Sequence, residues 1–76
     1  DIKSAMSEMQ VTAKMIEHGD RLMDITIPDH TLVAMVKRNH KYFIPRGNTH
    51  LSVGDKILII TDNEEAMKEV KNIWTE

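Results

Sequence analysis

The chain contains no cysteine, so it has neither a disulfide framework nor a thiolate metal site, which fits a reducing compartment. Its longest run of purely apolar residues is the five from Leu32 to Val36, far short of the ~20 needed for a membrane-spanning helix. No signal peptide is visible, and the first residue is Asp1 rather than Met, which suggests a segment cut from a longer protein. Walker loops, GxGxxG, CxxC and nucleophile motifs are all absent, which leaves no recognisable catalytic apparatus. The four histidines, His18, His30, His40 and His50, fall mostly in turns, without the i, i+4 or hairpin spacing of a preformed metal site. Asp20 and Asp24 form a carboxylate pair at helical spacing, and they read as a solvated face rather than as acid and base. These absences argue against an enzyme and against a metal cofactor.

Acidic residues are missing from one long stretch. All twelve Asp and Glu residues lie outside the window from His30 to Gly54, which holds Lys37, Arg38, Lys41 and Arg46 with three of the histidines. The net charge of −2 gives no reason to expect DNA or RNA as a partner, but an acid-free window of this kind suits an anionic ligand or an acidic partner as well as it suits a solvated hairpin.

At 76 residues the chain is long enough for one small domain. Residues 1–8 read as a lead-in and 9–76 as the domain. Met9, Val11, Ala13 and Met15 alternate with polar residues and predict a first strand over 9–15. Asp20 can cap a short helix over 21–24, although Met23, Ile25 and Ile27 also fit a strand; Pro28 closes either version. Strands follow over 31–38 and 41–44, joined by Asn39-His40, where positive φ would suit Asn better than His. Pro45 ends the ladder or lies at an edge, and 49–51 suggests a brief strand. The run Ile57-Leu58-Ile59-Ile60 predicts a central strand over 56–61 covered on both faces. Asp62 with Glu65 reads as an N-cap, and Ala66, Met67, Val70, Ile73 and Trp74 form the apolar stripe of a C-terminal helix. The fold class is therefore α+β: a small, mainly antiparallel or mixed sheet of four to five strands, a short helix after strand one, and a C-terminal amphipathic helix.

Taken together, Arg38, Asn39-His40, Ile44-Pro45, Gly47-Asn48-Thr49-His50-Leu51 and Gly54-Asp55 closely resemble the pattern of the TrkA-C, or RCK-C, domain, over about residues 9–74. Two departures are visible. His40 stands where the family usually has Gly, and the segment from Gly19 to Ile25 matches the family's short-helix pattern only partly. The resemblance implies a regulatory role in cation transport: a homodimeric module on the cytoplasmic face of the bacterial inner membrane, attached to the transmembrane transport domain of the same polypeptide or complex. Its parent would be a channel, a potassium uptake system or, by preference, a potassium/proton or sodium/proton antiporter. Some family members bind cyclic di-AMP across the dimer interface, and by matching position the ligand would meet Arg38, Asn39, Phe43, Ile44 and Pro45. A guanidinium can hold phosphate in a bidentate fashion, and flat apolar surface can pack on adenine. The alternatives are a constitutive dimerisation module with no ligand and an unrelated small α+β binding domain.

Overall fold

Strand β1 (Ala5–Gln10) is followed by a long connection, then by β2 (Thr31–Arg38), β3 (Lys41–Phe43), β4 (Lys56–Thr61) and the helix α1 (Glu64–Trp74), in a computed structural model that describes residues 5–75. The four strands form one antiparallel sheet in the order β1-β4-β2-β3. The Ile57–Ile60 run thus makes a central strand, but only one of its faces is closed. Ile57, Ile59 and Thr61 are buried, whereas Leu58 and Ile60 are half-covered and look onto an open face.

The helix and the connections close the other face. Met67, Val70 and Trp74 of α1 pack with Ile57, Ile59, Val33 and Val36, and Val11, Met15, Ile25 and Leu51 complete the core from the loops. Full burial of each such side chain contributes roughly 1.5–3 kcal/mol, so the stripe read from the sequence is what attaches the helix. Residue Ala34 sits at a register break between Val33 and Met35 in the β2–β4 pairing, which keeps both Val33 and Val36 on the core side.

The first strand lies earlier than the alternation predicts, starting within the presumed lead-in. Val11 and Met15 are buried as expected, but the chain turns between them. Thr12 is the cause. Its hydroxyl accepts from the Met15 N–H at 3.3 Å and donates to the Trp74 carbonyl at 2.9 Å, so side-chain turn chemistry overrides period-2 patterning.

The expected short helix is only a 3-10 turn, Leu22–Asp24. Asp24 accepts from the Arg21 backbone N–H and from its guanidinium at 2.9–3.3 Å, which closes a single turn, and extended backbone at Ile25 stops it from propagating. Gly19 precedes it at φ 145°, and a Cβ there would lie 2.7 Å from the Asp24 side chain. The brief strand expected over 49–51 is reduced to one bridge, Arg21 with His50.

The cap of α1 is Asn63, not Asp62: its Oδ1 accepts from the Ala66 N–H at 2.8 Å. Asp62 is drawn instead to His30, 2.8 Å from its imidazole Nδ1. Asn63→Ala is therefore expected to cost about 1 kcal/mol in urea unfolding followed by circular dichroism. Asp62→Ala, which removes an exposed ion pair with His30 and an exposed bond from the Asn63 Nδ2 at 3.1 Å, should shift the midpoint less.

Candidate functional site

Alternation along β2 points Val36 inward, Lys37 onto the open face and Arg38 back toward the core side. Arg38 pairs with Lys41 across the hairpin, and the two residues between them, Asn39 and His40, have φ of 52° and 66°. Both are left-handed, as a primed two-residue turn requires, and the histidine occupies the second such position.

The Arg38 guanidinium is anchored within the domain. Nε donates to both carboxylate oxygens of Asp55 at 3.0 and 3.2 Å, and Nη2 donates to Oδ2 at 2.5 Å and to the His50 carbonyl at 2.9 Å. The guanidinium also lies over the Phe43 ring, 5.4 Å from its centroid. Asp55 is 6% exposed and accepts in addition from the Ser52 N–H at 2.9 Å. Hydrogen bonding from Arg38, aided by the Ser52 N–H, holds the Asp55 carboxyl below the usual carboxylate range against the opposing effect of burial. The same bonds raise the Arg38 guanidinium.

The five residues singled out from the sequence thus divide. Arg38 and Phe43 are stacked together, Asn39 is exposed on the turn, Pro45 is half-buried beyond the edge strand, and Ile44 is 75% exposed. Pro45 lies two residues beyond Phe43, the last residue of the edge strand β3, outside the ladder as its missing N–H predicts. Asp55, which orients the whole group, was legible only as half of a Gly-Asp turn, and its position just beyond the acid-free window is the one signal that could have paired it with Arg38. Among the histidines, His30 pairs with Asp62 and His50 with Asp20, each at 2.8 Å, while His18 lies 3.4 Å from Glu17. No described helix is long and apolar enough to cross a membrane.

This hairpin, the sheet order and the helix packed on one face define a small α+β module. The chain belongs to the TrkA-C domain family, whose model matches residues 7–73. It is 33% identical over 63 residues to a Trk system potassium uptake protein TrkA homolog of Archaeoglobus fulgidus, covering 83% of this chain and 14% of that protein. It is also 33% identical over 58 residues to a K(+)/H(+) antiporter NhaP2 of Shewanella baltica, covering 76% of this chain and 10% of the antiporter. The chain therefore spans only a small part of these relatives.

Among solved structures, the fold is similar to the C domain of the potassium transport protein KtrA regulator of conductance of K+, in complex with cyclic diadenosine monophosphate. The TM-score is 0.76 at 22% identity, over 91% of this chain and 81% of that one. An RCK domain with cda gives a TM-score of 0.69 at 23% identity, over 92% and 97% of the two chains. Both likenesses concern the fold.

Proposed function

We propose that this domain regulates a bacterial cation transporter, a potassium/proton or sodium/proton antiporter. In this reading it acts as a homodimer on the cytoplasmic face of the inner membrane, joined to the transmembrane transport domain of the same polypeptide or complex. It senses an anionic nucleotide such as cyclic di-AMP through Arg38, Asn39, Phe43, Ile44 and Pro45. The antiporter among the relatives and the dinucleotide complex among the structural neighbours support this reading.

The observation that carries it is the ordered guanidinium beside exposed apolar surface. Asp55 and Phe43 fix the orientation of Arg38, which leaves its Nη1 edge outside the bonds to Asp55 and His50, and Ile44 stands uncovered nearby in sequence. A preorganised guanidinium loses less freedom when it engages phosphate, and an exposed isoleucine offers the flat contact that a purine needs. A ligand held between two subunits changes transport through its different affinities for two dimer arrangements.

The Asp55 bridge also favours a second reading, in which Arg38 serves structure alone and the domain is a constitutive dimerisation module. Thermal unfolding with and without cyclic di-AMP, with light scattering for mass, separates the two. Ile44→Ser is the informative variant because Ile44 is exposed, whereas removing Arg38 disturbs a buried carboxylate. Sensing predicts a dimer stabilised by about 2.7 kcal/mol when ligand is a hundredfold above its dissociation constant, with the shift lost in Ile44→Ser. A dimer with no shift makes the assembly module the better reading.

A further inference from the structure

On the open face, at the same end of the sheet, lies a cationic hollow that the Arg38 group does not use. Lys37 and Lys56 are direct cross-strand partners on β2 and β4, and with Asn39, His40 and Gly54 they line a depression of about 280 Å³. Lys37 points away from the core, on the side of the sheet opposite to Arg38.

Two local conflicts converge here. Like charges placed directly opposite each other on neighbouring strands repel. His40 holds φ 66° where glycine would meet no Cβ penalty. No carboxylate lines the hollow to offset the lysine pair. Glu8, 4.0 Å from Lys56, stands on β1, on the other flank of β4 from Lys37. The Lys37 ammonium rests 5.4 Å from the Tyr42 ring centroid, which steadies it without neutralising it. Sequence choices that oppose local stability and meet at one hollow mark a site kept for binding.

We infer that Lys37, Lys56 and His40 form a phosphoryl-binding site on the sheet face opposite the Arg38 guanidinium, with the Asn39 amide on the turn between the two. A phosphate or diphosphate placed between the two ammonium groups would turn their repulsion into shared attraction, and its oxygens can accept from the imidazole and the amide. The phosphoryl group could belong to a soluble phosphate compound or to a lipid headgroup.

The test uses inorganic pyrophosphate, followed by backbone amide shifts and melting temperature, against sodium chloride of equal ionic strength. Sedimentation with phosphatidylglycerol vesicles, with phosphatidylcholine vesicles as control, forms the second arm. Pyrophosphate is expected to shift the Asn39 and His40 amides and raise the melting temperature. In the K37Q/K56Q variant affinity should fall at least tenfold, while the ligand-free melting temperature stays level or rises because the repulsion is gone. H40G should likewise melt no lower than the parent and bind more weakly. Binding of pyrophosphate assigns a soluble phosphate ligand, and binding of phosphatidylglycerol vesicles alone assigns a headgroup. Unchanged affinity in K37Q/K56Q, or no binding in either arm, overturns the site. Ile44→Ser should retain pyrophosphate binding, so failure here is distinguishable from failure of cyclic di-AMP sensing.

Discussion

Arg38→Ala is expected to destabilise the domain by about 2–4 kcal/mol, because it strands the Asp55 carboxylate, which is 6% exposed, with only the Ser52 N–H as a charge-stabilising donor. The figure is set below that for a fully buried pair because 38% of the arginine side chain remains in solvent. The double variant Arg38→Ala/Asp55→Asn should recover part of the loss, since it removes the uncompensated charge, and a double-mutant cycle in urea measures the coupling. The pair also sets an acid limit. The Asp55 carboxyl titrates lower in the folded protein than in the unfolded chain, so the unfolded state binds more protons between the two values. Its contribution is complete above the ordinary carboxylate range, near 4, and is lost as pH falls through the folded value. Asp55→Asn should flatten this limb in a stability-against-pH series without abolishing it, because Asp24, hydrogen-bonded to Arg21, is lowered in the same direction.

Trp74→Ala should have the larger effect. The indole is 2% exposed, its Nε1 donates to the Thr26 carbonyl at 3.0 Å, and the residue's own carbonyl accepts from Thr12 at 2.9 Å. Truncating a buried tryptophan costs about 3–5 kcal/mol, comparable with the whole net stability of a domain this size. The variant is expected to be largely unfolded by circular dichroism at room temperature. Trp74→Phe keeps most of the apolar volume but leaves the Thr26 carbonyl without its donor, so it should fold with a loss of about 1–3 kcal/mol. As the one tryptophan in the chain, Trp74 also reports unfolding of the parent through a red shift in its emission.

The regular parts of the fold were legible because several signals agreed there. Val, Ile and Leu runs bounded by turn residues placed β2 and β4 as observed and β3 to within one residue, and the spacing of Ala66, Met67, Val70, Ile73 and Trp74 set the buried side of α1. Misreadings arose where a single polar side chain decides the geometry. Thr12 ends the first strand, Asp24 reduces a helix to one turn, and His30 draws Asp62 away from the cap that Asn63 then provides. Each is a choice among partners distant or ambiguous in sequence, which periodicity does not encode. The candidate site shows the same division. The motif singled out Arg38 and Phe43, whereas the buried acid 17 positions downstream that fixes the guanidinium becomes visible only once β2 and β4 lie side by side.

The sheet order also has a kinetic consequence. The β2–β3 hairpin closes locally, but β1 must find β4 across the chain, with partners ranging from Gln10 with Lys56 to Ala5 with Thr61. Closing a loop of that length costs entropy before any contact repays it, which slows folding relative to a hairpin. During synthesis the first strand emerges from the ribosome long before its partner and has no native strand to pair with until β4 follows. The hairpin is thus the natural early nucleus. The N-terminal strand can complete its six-residue ladder only once β4 is available, which makes the β1–β4 seam a late step in assembly.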